Sequence, residues 1–161
     1  MRTLLFWLGL FFFLSIASSM VWKKEQLLAH GQTVQLKLAP VDPRSLMQGD
    51  YMALRYDLVS QVQKVDELPR HGRLIVRRDD SGVASFVRLD DGAPLAEGEL
   101  ALLYRNVNGL HIGAESYFFQ EGTAAIYQRA QYAELKVDTD GTCLLTTLLD
   151  EARQPLKPAS E

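Results

Sequence analysis

From Leu4 to Trp22 the chain is almost wholly apolar, and its polar side chains are Ser15, Ser18 and Ser19. Arg2 precedes the run, and Lys23 and Lys24 follow it. About 20 apolar residues are what a helix needs to cross a bilayer. A buried core helix is disfavoured, because such a run has no polar face to offer water. Trp7 and Trp22 lie near its two ends, and indoles favour membrane interfaces. The competing reading is a cleaved signal peptide, with Ala17-Ser18-Ser19 as the small-residue site. Retention is favoured on three grounds. The apolar run continues through Met20-Val21-Trp22, past that site. Lys23-Lys24 reads as a stop at the membrane surface. Helical composition then persists through Glu25–His30 to Gly31, a natural helix end. The expectation is a transmembrane helix and its extension over residues 1–30. Charge leaves orientation open, because Arg2 and the amino terminus balance Lys23-Lys24.

Residues 31–152 are enough for one compact domain and too few for two. The composition, 47% hydrophobic and 23% charged, is that of a folded protein. Residues 153–161 read as a flexible C-terminal tail. The formal net charge of −3 gives no basic face for nucleic acid. Cys143 is the only cysteine. That excludes an internal disulfide, a cysteine-rich metal site and a lipid attachment near the N-terminus.

The body alternates in period two between turn signals, which predicts strands. Val34, Leu36 and Leu38 mark a first strand. Tyr51–Val59 follows, with Met52, Leu54, Tyr56 and Leu58 on one face and Tyr51, Ala53, Arg55 and Asp57 on the other. Ser60–His71 is a polar link with room for a short helical turn. Arg73–Arg78 and Val83–Leu89 flank the hairpin turn Asp79-Asp80-Ser81-Gly82. Glu99–Val107 and Leu110–Gly113 flank Asn108-Gly109, a strong hairpin signal. Glu121–Gln131 reads as one short helix. Tyr132–Asp138 and Thr142–Leu149 form a last hairpin about Asp140-Gly141. The predicted fold class is mainly β (α+β): a small antiparallel β-barrel or sandwich-like domain with one short helix, behind the N-terminal transmembrane helix.

One stretch departs from this pattern. Pro40-Val41-Asp42-Pro43-Arg44-Ser45 cannot continue a regular strand, since each proline fixes φ and lacks a donor. Gly49 then permits a tight backbone and Asp50 can cap its own turn. Gly49, Asp50, Tyr51, Leu54 and Tyr56 fill every fixed position of a GDYxxLxY motif. With the Pro40–Ser45 lead-in and the later Tyr117-Phe118-Phe119-Gln120-Glu121-Gly122, the chain resembles the GDYxxLxY family over most of its length after the apolar run. The resemblance implies a bacterial, N-terminally membrane-anchored protein with no established activity, found beside or fused to multi-pass membrane proteins. It also implies an N-terminus in the cytoplasm and a domain outside, in the periplasmic or extracytoplasmic space of the inner membrane.

Convergence of Asp42, Arg44, Asp50, Arg55, Glu115 and Glu121 with Tyr51 and Tyr117 would make a polar binding site, since carboxylates held by arginine make strong, directional bonds. The plainer reading is that Asp50 caps its turn and Arg55 pairs with a neighbouring strand. Leu54 and Tyr56 are expected in the core and Tyr51 on the contact face. Tyr117-Phe118-Phe119 is either core or an exposed patch that marks an interface. His30, His71 and His111 have no metal-ligand spacing, and no metal or cofactor motif is present. Ser45-Leu46-Met47-Gln48-Gly49-Asp50 is also similar to the Ser-Met…Gly-Asp arrangement of membrane-anchored serine–lysine peptidases. Here Met does not follow Ser45 directly, and the nearest downstream lysine, Lys64, lies in a polar link that cannot desolvate it. Capping of a turn by Ser45 is favoured instead. The expected role is therefore non-enzymatic: an accessory or interaction module for a multi-pass membrane protein. The alternatives are a small-ligand-binding envelope sensor and, behind it, a divergent peptidase.

Overall fold

The computed structural model describes residues 2–39, 47–48, 51–65 and 68–158. Helix α1 (Arg2–His30) leads without a linker into β1 (Gln32–Lys37). Then come β2 (Met47–Gln48), β3 (Tyr51–Ala53), α2 (Asp57–Val62), β4 (His71–Arg78), β5 (Val83–Leu89), β6 (Glu99–Asn106) and β7 (Leu110–His111). The chain closes with β8 (Ser116–Phe118), α3 (Ala124–Tyr127), β9 (Tyr132–Val137) and β10 (Cys143–Leu149). The domain is mainly β, as its alternation predicts. Over Phe6–His30, α1 is long and apolar enough to cross a membrane, with mean hydropathy 1.5 and none of its most apolar window buried. A membrane anchor and a signal sequence share those properties.

Seven strands form one sheet in the order β10-β9-β1-β5-β4-β6-β7, and β2-β3-β8 form a second. Every pairing is antiparallel except β1 with β5. The large sheet curls until its two ends meet. The Leu103 amide of β6 donates to the Gly141 carbonyl in the β9–β10 turn at 2.8 Å. The Cys143 thiol of β10 points at the Ile112 carbonyl at 3.2 Å. Inside this closed surface lie Val34, Leu36, Leu74, Val76, Leu102, Ala133, Leu135 and Leu148, each with no exposed area. These are the inward members of the alternating strands, so the hydrophobic pattern sets the register. The free edge of β10 is covered too. The Leu156 amide donates to the Leu148 carbonyl at 2.8 Å and the Asp150 amide to the Gln154 carbonyl at 3.0 Å.

Three expectations need correction. The strand expected over Tyr51–Val59 ends at Ala53, and Asp57–Val62 is helical. Its alternation survives as burial, but Leu58 and Val62 reach the core at helical i, i+4 spacing. The helix expected over Glu121–Gln131 shrinks to Ala124–Tyr127, because Gln131 already extends β9, its amide donating to Leu149 of β10 and its carbonyl accepting from Leu38. The tail is not free from Arg153 on. Pro155 bridges Leu149, and Leu156 is 5% exposed within the core cluster.

A charged face lies outside β4, β5 and β6. Glu99 is buried, and its carboxylate accepts from Arg77 at 2.8 Å, from Arg88 at 3.4 Å and from the Ala96 amide at 3.1 Å. Arg88 also holds Asp91, and Arg73 holds Asp90 at 2.6 Å. The Ala96 amide first, and then the Arg77 bond, hold the Glu99 carboxyl below its ordinary range. Asp90 is likewise lowered, chiefly by the Gly92 amide. A carboxyl depressed in the folded state stabilises fully above its unfolded pKa. That contribution is lost as pH falls through the lower folded value. Acidification below about pH 4.5, the ordinary glutamate value, is therefore expected to lower the melting temperature. Glu99→Gln is expected to lower it already at pH 7 and to remove part of the acid dependence. Thermal melts of the full-length protein at both pH values check this.

Candidate functional site

The two segments that carry the motif resemblance meet in the small sheet. Tyr51 pairs with Phe118, Met52 with Tyr117 and Ala53 with Ser116. The ladder continues as the Leu54 amide donates to the Glu115 carbonyl at 2.7 Å. The chain then crosses to β1, where Tyr56 bridges Leu38 and the Ala39 amide donates to the Arg55 carbonyl at 2.8 Å. One motif strand thus joins the small sheet to the barrel.

Its inward face is core. Met52, Leu54 and Tyr56 are 3%, 5% and 2% exposed. The Tyr56 hydroxyl donates to the buried Ala114 carbonyl, giving both buried groups a partner. Burial, then Cys143 and Glu115, push the Tyr56 phenol well above its ordinary pKa, so Tyr56 is a neutral donor throughout the physiological range. Tyr117 packs on the same side, with its ring edge-on to Tyr127 at 5.1 Å. Burial first, and then Tyr127, raise its phenol to about 12. Phe119 stacks on Tyr127 at 5.3 Å. The fixed Leu54 and Tyr56 are therefore members of the core cluster.

The outward face differs. Phe118 is 74% exposed, the most exposed large apolar side chain among the described residues. Its ring lies 5.8 Å from that of half-buried Tyr51. The Tyr117-Phe118-Phe119 run thus divides: its outer two rings pack inside, and the middle one faces water. Ala53, Arg55 and Ser116 are exposed around the Tyr51–Phe118 pair. The alternation of the first motif strand placed Tyr51 on this face. The signal for the second strand is weaker, three β-prone residues between Gly113 and Gly122.

The polar convergence is not formed by the residues that are visible. Glu115 spends its carboxylate on the Ile112 and Gly113 amides of its own turn. Arg55 and Glu121 are exposed, and no ion pair joins them among the described residues. Asp42, Arg44, Ser45, Gly49 and Asp50 lie outside the described residues. Tyr51, Arg55 and Glu121 do not line the concavities beside Leu103–Glu115, Thr33–Gly98 or His71–Asp140. All six lysines are described and none is buried, while Ser45 of the serine–lysine alternative lies outside the described residues. No three of the described His, Cys, Asp and Glu residues cluster as a metal site would require. The buried Glu99 with Arg77 and Arg88 went unread in the sequence. Its signal was the outward members of β4, Arg73 and Arg77, on a strand whose other face is core.

The family described as GDYXXLXY protein matches the chain over residues 13–148. No curated protein and no solved structure matches it.

Proposed function

The chain belongs to the GDYXXLXY family, and we propose that it is a membrane-anchored interaction module. In this reading α1 is a retained single-pass anchor in the bacterial inner membrane, with the β-rich domain on the extracytoplasmic side. The domain serves a multi-pass membrane protein as an accessory, without catalysing a reaction. The observation that carries the reading is the Tyr51–Phe118 pair. The inward residues of the same two strands fix it in place, while Phe118 stays 74% exposed. A rigid aromatic pair set among small and polar neighbours is the composition of an interface centre. Anchoring supplies the rest, because confinement to a membrane raises effective concentration near a neighbour without new contacts.

Crosslinking pull-down of the full-length protein from native membranes tests this, with Phe118→Ala, Tyr51→Ala and Asp50→Ala as variants. We expect capture of one integral membrane protein, lost with Phe118→Ala or Tyr51→Ala while the melting transition stays cooperative. Capture that survives both substitutions, or no specific capture, rejects the reading.

A further inference from the structure

The junction between α1 and the domain is one residue long and packed. Leu27 of α1 is 4% exposed. The Lys136 ammonium of β9 donates to the Gly31 carbonyl at 3.2 Å. A Cβ at Gly31 would sit 2.5 Å from the Leu27 carbonyl oxygen and 2.8 Å from its Cδ1, so the backbone passes the helix too closely for any other residue. A junction this close sets which side of the domain lies nearest the end of α1.

Register identifies that side. The first residue of β1, Gln32, pairs with the last of β9, Val137. The turn that follows β9 therefore runs past the start of β1, back along α1. The tight turn Asp138–Thr142 lies just beyond Lys136, whose ammonium holds the Gly31 carbonyl where α1 ends. Electrostatics agree: after the Thr142 amide and side chain, the nearby Lys23 ammonium helps hold the Asp140 carboxyl below its ordinary range. At the same level Gly141 accepts the Leu103 amide, and Leu103 is 41% exposed although apolar.

We infer that the Thr139–Thr142 turn and Leu103 form the face on which the domain rests on the lipid headgroup layer. The inference rests on the anchoring part of the reading above. Leu103 then contacts lipid, and Lys23, Lys24 and Lys136 lie where anionic headgroups attract them. Lys37, at the far end of β1 six residues from Gly31, stands about 20 Å away along the strand.

Single cysteines at positions 20, 37 and 103 test this in the full-length protein. Native Cys143 is buried, with its thiol pushed to about 12 by burial, so a maleimide dye labels the introduced thiol alone. The labelled proteins are reconstituted into phosphatidylcholine–phosphatidylglycerol vesicles containing lipids with a nitroxide on the headgroup. We expect loss of emission at 20 and 103 and none at 37. Quenching at 20 without quenching at 103 overturns the inference and leaves the anchor standing, and this includes the case where 103 is shielded only by another protein in native membranes. Equal quenching at 37 and 103 also overturns it. No quenching at 20 rejects the anchor, and the inference with it.

Discussion

Leu54→Asp abolishes the cooperative thermal transition of the domain, while Asp at the next position, Arg55→Asp, leaves it nearly unchanged. Leu54 is 5% exposed in the central cluster, and Arg55 is exposed. Removing the leucine costs about 2–5 kcal/mol in lost burial and cavity. The carboxylate adds the cost of a charge with no partner in an apolar site. Together these rival the whole stability of a small domain, about 5–15 kcal/mol. Circular dichroism melts of the full-length variants in detergent check this, read from the β signal. A normal transition in Leu54→Asp would refute the placement of the motif's inward face. The contrast between two adjacent positions separates burial from any general sensitivity of the segment.

The second large effect is expected at the barrel seam. Gly141 has φ +93, which L residues rarely adopt, and an added Cβ would meet the Leu103 nitrogen at 3.1 Å and the Ala101 oxygen at 3.2 Å. Both neighbours belong to the backbone of β6, which is held on its other side by β4 and cannot yield cheaply. Gly141→Ala therefore combines strained dihedrals with overpacking, about 2–4 kcal/mol in all. The variant should melt well below the parent and show faster amide exchange at Leu103, the donor across the seam. Gly82 also has positive φ, but open space surrounds it, so Gly82→Ala should cost less. Equal losses at both sites would mean that dihedral strain alone acts and that the seam is not closed.

Much of this architecture was legible because its causes are local. The turns Asp79–Gly82, Asn108-Gly109 and Asp140-Gly141 depend on residues that accept turn backbone, and each joins the two strands expected of it. Burial of Met52, Leu54 and Tyr56 follows from period-two alternation. The errors fell where alternation and helical spacing place the same residues inside. Leu58 is buried in either conformation, so burial pattern alone could not end the strand at Ala53. Two prolines and charged residues around Leu156 are the composition of a tail, yet one leucine with a backbone bond to β10 docks it.

The candidate site divides along the same line. The sequence by itself determined an apolar helix of membrane-spanning length, a β-rich domain, the inward set Leu54 and Tyr56, the outward Tyr51 and membership of a motif family. All of these follow from hydrophobic periodicity, turn chemistry or residue identity, which act within a few positions of one another. Folding of the whole chain is what sets Phe118 beside Tyr51, buries Glu99 between Arg77 and Arg88, and closes the barrel where the Gly141 turn meets Leu103. Those contacts join residues 11 to 67 positions apart in the chain. They are fixed by sheet order and curl, which arise when many strands bury their inward faces at once, and no local pattern records that joint solution.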